Sequence, residues 1–459
     1  MIIGAVMVPH PPIAVAEIGK GEEKKIQKTL DSFAKISETI AELKPDTIVM
    51  ITPHVILYRD WFNISEGSHA YGDFSRYGAG SVKFETDYDE TLSRRISELC
   101  EAEGIPAGTQ YDRDHDLDQG TMVPLYFINQ KYRNYKLVRI GQSGLPLSVH
   151  YRFGMCIRKA AQESDKRILI VASGDLSHCE KEDGPYGYKP EGPAYDARLM
   201  KDMAEADFKA LLGYEPGFLS KAEECGHRSF VIMAGILDRL AVEPEVLSHE
   251  ATFGVGYGFV IYRIKKSDET RNFLDQYETA VRNECGARQE AADPYVRLAI
   301  AAVREWVLFH KRLSEPVAEE LKNQRAGVFV SIHEFGDLRG CIGTIEPVRS
   351  CIAEEIVANA ISACSKDPRF EPVQKEELDF LEMSVDVLSP AEPVRSMSEL
   401  DARRYGVIVS SEDGRRGVLL PDLEGVDTPQ EQIRIARSKA GIGEFETVRL
   451  ERFEVIRHV

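Results

Sequence analysis

Three histidines occupy the positions where chemistry would be built. His10, His54 and His178 each stand just past a short apolar run: Ile2–Val8 before Pro9-His10-Pro-Pro, Thr47–Thr52 before Pro53-His54, and residues 167–172 before Ser173-Gly-Asp-Leu-Ser-His178. Imidazole is the commonest metal ligand. Two histidines with one carboxylate and open positions form the set by which non-haem Fe(II) activates oxygen. Glu223 and Glu224, at the mouth of a helix predicted from Cys225, are the carboxylates placed to complete such a set. The other reading of these two glutamates is a charged helix N-terminus favoured by the macrodipole.

Such side chains converge only if the elements before them share an edge. Ile26, Leu30, Phe33, Ile36, Ile40 and Leu43 recur at spacings of three and four, which predicts an amphipathic helix between the first two runs. Strand, helix, strand makes the two strands parallel, and right-handed crossovers place their carboxyl ends together, where open α/β sheets build sites. Further strands are predicted at 136–140 and 167–172, helices at 146–162 and 225–240, and one alternating strand at 254–264. The first domain, residues 1–266, is therefore read as α/β with a mainly parallel central sheet.

Charge rises over residues 265–288, which places a linker at 267–290, with Leu274, Tyr277 and Val281 spaced for a short connecting helix. The second domain, 291–459, starts on a helix capped by Asp293-Pro294. It continues with a strand at 327–332, a helix at 348–362, a strand at 383–388, a hairpin at 406–409 and 417–420, and a helix at 428–440. Without repeated crossovers this pattern reads as α+β.

The 459 residues carry 57 Lys plus Arg against 75 Asp plus Glu, a net charge of −18, which argues against nucleic acid or an anionic membrane surface as partner. No stretch reaches the ~18 apolar residues of a membrane span. The eight cysteines form no C-x-x-C pair, and the N-terminus lacks a basic region before its apolar run. Both features lead to the expectation of a reduced, cytoplasmic protein. Of the 11 histidines, all but His310, His333 and His458 precede residue 250, so different chemistry is expected at the two ends.

Residues 1–264 resemble the class III extradiol ring-cleaving dioxygenases of the LigB type and the related Memo-like proteins. The resemblance rests on Val8-Pro-His10-Pro-Pro, Thr52-Pro-His54, Leu117-Asp-Gln-Gly-Thr-Met-Val-Pro-Leu125, Ser173-Gly-Asp-Leu-Ser-His178 and Glu224-Cys-Gly-His-Arg-Ser. It implies that His10 and His54 are metal ligands and His178 the acid/base. The third ligand is Glu224 by the dioxygenase pattern and Cys225 by the Memo-like one. It further implies Fe(II), with another divalent metal as the alternative, and a small aromatic diol with O2 as substrates. One position departs: ring-cleaving members carry histidine where Gln119 stands. His115, four residues earlier, either takes that role or is a solvated histidine of an acidic loop. Asp175 either orients His178 or caps the following turn. Tyr186, Tyr188 and Tyr195 follow in a Gly- and Pro-rich loop that either lines the pocket or lies on the surface.

Residues 291–459 are similar to the AMMECR family through Asp337-Leu-Arg-Gly-Cys-Ile-Gly-Thr344, Lys366-Asp-Pro-Arg-Phe370 and Arg416-Gly-Val-Leu-Leu-Pro421. There Cys341 is expected on a loop after a strand, with Arg339 near enough to lower its pKa; a buried, inert cysteine is the alternative. The fusion resembles the proteins of the AmmeMemoRadiSam system, which implies a radical-SAM partner. This chain has no C-x-x-x-C-x-x-C cluster motif of its own. The expected function is an Fe(II)-dependent extradiol-type dioxygenase or related oxidoreductase with an accessory domain. The alternative is a metal-binding module without ring cleavage, and a zinc hydrolase is weaker because no H-E-x-x-H is present.

Overall fold

Strands buried on both faces read as unbroken apolar runs, and the runs at Thr47–Thr52 and Ile168–Ser173 are buried at every residue. A computed structural model describes residues 1–112, 116–313, 319–423 and 425–459. The chain divides into two units, Met1–Glu278 and Thr279–Val459, and the helix Phe273–Ala291 occupies most of the predicted linker. Among the described residues no helix is long and apolar enough to cross a membrane.

In the first unit, strands β1 (Ile2–Val8), β2 (Thr47–Thr52), β3 (Lys136–Gly141), β4 (Ile168–Ser173), β5 (Leu240–Glu250) and β6 (Tyr257–Ser267) form a sheet in the order β3-β2-β4-β1-β6-β5. The first four are parallel, whereas β6 runs antiparallel to both β1 and β5. The sheet is therefore mixed, and its parallel part carries the histidines. Alternate residues of β1 feed two cores. Val6 and Val8 join Phe33, Ile36 and Ile40 of α1 (Gln27–Leu43), while Ala5 and Met7 join Tyr151 and Phe153 of α3 (Leu147–Glu163). Helix α2 (Gln119–Ile128) starts where the Asp118 carboxylate caps the N–H of Thr121.

Sequence reading missed β5. Its Pro244 and three glutamates look unlike a strand, but β5 is an edge strand, where a residue without an N–H costs no ladder bond. The helix expected to reach Leu240 is α5, His227–Ile236, and Arg239 in a left-handed conformation (φ 54°) turns the chain into β5.

The second unit is built from two antiparallel sheets with helices. Strands β7 (Val328–Glu334), β8 (Asp337–Gly343), β9 (Leu381–Leu388), β10 (Glu392–Pro393), β11 (Gly406–Ser411), β12 (Arg416–Leu419), β13 (Val448–Phe453) and β14 (Val455–His458) pair as β8-β7-β9-β14 and β10-β13-β11-β12. Cys341 sits within β8, not on the loop its neighbouring glycines suggested. Those glycines serve packing: a Cβ on Gly340 would meet the Ala363 carbonyl at 2.3 Å, and one on Gly343 would meet the Phe329 ring at 2.2 Å.

Candidate metal centre

Strand β4 lies between β1 and β2, and their carboxyl ends are nearly level, with Val8 beside Ser173 and Ile51 beside Ala172. The segments leaving those ends therefore meet above the sheet. His10 and His54 arrive from the two outer strands, and Ser173 stands at the end of the central one.

His10 is fully buried. Its Nδ1 pairs with Ser173 Oγ at 3.0 Å, and that hydroxyl donates to the Gly120 carbonyl at 2.6 Å. With the hydroxyl proton committed, Oγ accepts from Nδ1–H, so the lone pair of His10 is on Nε2. A hydrogen bond of this kind fixes which nitrogen a metal can take. That Nε2 is 2.8 Å from His54 Nε2 and 3.6 Å from Cys225 Sγ. The ligand atoms of His10, His54 and Cys225 all lie within 4.8 Å of one another.

Burial holds His10 down to about 3, and burial followed by the His10 ring holds His54 down to about 4, so both imidazoles are neutral at pH 7. Burial pushes the Cys225 thiol up, with Asp175 adding to the shift. A divalent cation offsets that penalty and deprotonates a coordinating thiol. Metal–nitrogen and metal–sulfur bonds of about 2.1 and 2.3 Å at a tetrahedral angle put two donors about 3.6 Å apart, the His10–Cys225 spacing. The donor set fits a borderline or soft divalent ion.

Glu224 is not part of the group. Its half-buried carboxylate accepts from the N–H of His227, the first residue of α5, at 2.6 Å, and desolvation raises its pKa to about 7. Glu223 pairs with Lys189 at the half-exposed surface, while its carbonyl accepts from His178 Nδ1. Glu224→Gln is expected to leave metal content unchanged, and Glu224→Ala to cost about 0.5–1.5 kcal/mol of stability through the lost hydrogen bond from the His227 N–H. Metal analysis beside thermal melting checks both.

His178 is half-buried, and its tie to the Glu223 carbonyl leaves Nε2 as the proton acceptor. It lies close enough for its charge to act on both His10 and His54. The Asp175 carboxylate accepts from the His10 backbone N–H at 2.8 Å, and its own N–H donates to Cys225 Sγ at 3.3 Å. Asp175 thus clamps two of the three donors. Gln119 donates to the His10 carbonyl at 3.3 Å and accepts from the Tyr77 hydroxyl, so its amide is committed to positioning. His115 lies outside the described residues. Tyr186 and Tyr188 are both exposed, the Tyr186 ring T-shaped to His178 with centroids 5.7 Å apart, whereas Tyr195 is buried on the helix α4, Glu191–Glu205, against His227.

Ser173, Gly174 and Gly226 were missed as functional residues. The signal was the strand-end Ser-Gly: a Cβ on Gly174 would meet the Gly226 Cα at 2.1 Å, and this backbone contact seats Cys225 beside His10. Beside His54 a cavity of about 430 Å³ is lined by Arg76, Tyr77, Asp118, Gln119 and Met122. In the second unit, Arg339 forms a two-pronged ion pair with Glu377 at 2.6 and 3.2 Å and does not border the cavity that Cys341 lines.

The family model of the catalytic LigB subunit of aromatic ring-opening dioxygenase matches residues 4–260, and that of AMMECR1 matches 296–458. Protein CA_C1420 of Clostridium acetobutylicum is 40% identical over 99% of this chain and 98% of its own length. A Thermotoga maritima protein is 52% identical over 36% of this chain and 97% of its own. Among solved structures, PH0010 of Pyrococcus horikoshii is 29% identical over 36% of this chain and 88% of its own, with a TM-score of 0.33. The chain belongs to the family that joins a LigB-type, aromatic ring-opening dioxygenase-like domain to an AMMECR1 domain.

Proposed function

We propose that the first domain holds a redox-capable divalent ion, Fe(II) foremost, between His10, His54 and Cys225, and works as a metal module without ring cleavage, with the AMMECR1 domain as accessory and a radical-SAM protein as partner. One observation carries this reading: the carboxylate that would complete a ring-cleaving set, Glu224, accepts from the first N–H of α5, and a thiol stands in the third place. A thiolate is a softer ligand than a carboxylate and favours softer or redox-active ions. When bound, such an ion supplies electron transfer and Lewis acidity. The chain's own contribution is to hold two neutral imidazoles and a thiol together at the strand ends, His10 buried and His54 open to solvent, with the orientation of His10 and Cys225 set by Ser173 and Asp175.

Extradiol cleavage of a catechol with O2 is the second reading. It is favoured by the proton-accepting Nε2 of His178 and by the polar cavity against His54. Anaerobic loading with Fe(II), metal analysis, and oxygen uptake with a panel of catechols separate the two. The expected result is bound iron with no ring-opened product. A yellow ring-opened product that disappears in His178→Ala while iron stays bound establishes the second reading instead.

A further inference from the structure

The second unit contains the larger cavity, about 940 Å³, within the range of small-molecule sites. Its floor is the face of the β8-β7-β9-β14 sheet turned away from the apolar core. Register places Ser331 opposite both Cys341 and Ser384, His333 opposite Glu382, and Asp386 opposite Arg457. The core face of the same strands carries Val328, Val330, Ile332 and Val385.

Two guanidiniums border the cavity in the same anchored manner. Arg457 donates from Nε and Nη2 to Asp386 at 2.8 and 3.1 Å, and Arg369 donates from the same two atoms to Asp367 at 2.9 and 2.7 Å. The carboxylates lie behind: Asp386 and Asp367 side chains are 3% and 1% exposed, against 45% and 51% for the arginines. Each arginine is thereby held in one orientation, and among the described residues neither Nη1 has a hydrogen-bond partner. Planar donors fixed in this way suit a carboxylate or similar oxyanion. Between them lies Cys341, whose sulfur accepts from Ser331 Oγ at 3.2 Å and whose carbonyl accepts from Arg369 Nη2 at 3.3 Å. Phe329, Leu338, Met383, Val418, Leu420 and Leu423 supply an apolar part of the wall, beside the further charged side chains Arg288, Glu382 and Lys439.

We propose that this cavity binds a small organic acid, its anionic group on the Nη1 edges of Arg369 and Arg457 above Cys341 and its apolar body against Phe329, Val418 and Leu420. The site lies wholly within the second unit and is independent of the metal reading.

The test uses the full chain, with 1-naphthoate as anionic probe and 1-naphthalenemethanol as its neutral counterpart. Alkylation of Cys341 by iodoacetamide is followed by peptide mass spectrometry, with the half-buried Cys351 as internal reference. Naphthoate at saturation is expected to slow Cys341 about fivefold or more and leave Cys351 unchanged, while the alcohol at equal concentration leaves both unchanged. Arg457→Gln and Arg369→Gln, each confirmed as folded by melting, are expected to raise the half-protecting concentration about tenfold, the worth of one charge-assisted hydrogen bond. Equal protection by the alcohol, no protection by naphthoate, or a Cys341 that does not alkylate in the unliganded chain overturns the proposal. The wild-type arm stands even if neither variant folds.

Discussion

Replacing His10 with alanine is expected to reduce metal bound after dialysis against a weak chelator from near stoichiometric to below about a tenth, because a lost donor weakens binding more than the ~10–100-fold that loss of an orienting partner costs. His10 is the central donor, its Nε2 being 2.8 Å from His54 Nε2 and 3.6 Å from Cys225 Sγ. Cys225→Ala should act in the same direction. Ser173→Ala supplies the graded control: it keeps every donor but frees Nδ1 of His10, so metal affinity should fall within that ~10–100-fold range. Plasma emission analysis of the dialysed proteins gives the comparison directly. Retention of full metal content in His10→Ala would remove the assigned centre.

Gly174→Ala is expected to destabilise the first unit by about 1–3 kcal/mol, the cost of forcing a group into filled space. At roughly 2–4 °C per kcal/mol for a unit of this size, its melting temperature falls by several degrees. The cause is the Gly226 Cα, 2.1 Å from the added Cβ; a backbone atom cannot swing aside as a side chain can. To make room, the β4 loop and the loop carrying Cys225 must part, so metal content should fall together with stability. Gly213→Ala is the matched control. Its Cβ meets nothing within 4 Å, and there the substitution should be neutral or stabilise by about 0.4–1 kcal/mol. A Gly174→Ala protein melting with the wild type would contradict the contact.

Much of the scaffold was legible because strands covered on both faces cannot alternate. The runs ending at Val8, Thr52 and Ser173 are nearly pure apolar sequence, and each gives way to a Pro- or Gly-containing turn that carries a histidine. The choice between Glu224 and Cys225 was not legible. They are adjacent, and which one faces the histidines depends on where α5 begins; Glu224 is spent on the N–H of His227 three residues on. The role of Asp175 was hidden for a similar reason, since its partners are the backbone of residue 10 and the sulfur of residue 225. In the second unit the motif drew attention to Arg339 as the guanidinium nearest Cys341 in sequence. The strand pairing instead supplies Arg457, from the edge strand β14, through its register with Asp386.

The donors His10 and Cys225 are separated by 215 residues of chain. Contacts this remote form late, since the loop between them must close first. On a ribosome adding about 5–20 residues per second, the third donor emerges roughly ten seconds or more after the first. Of the three proposed donors the early part of the chain carries only the histidine pair, a weak and unselective trap. For the proposed centre, ion selection is consequently left to the finished fold, and metal uptake would serve as a timestamp for completed assembly of the first unit.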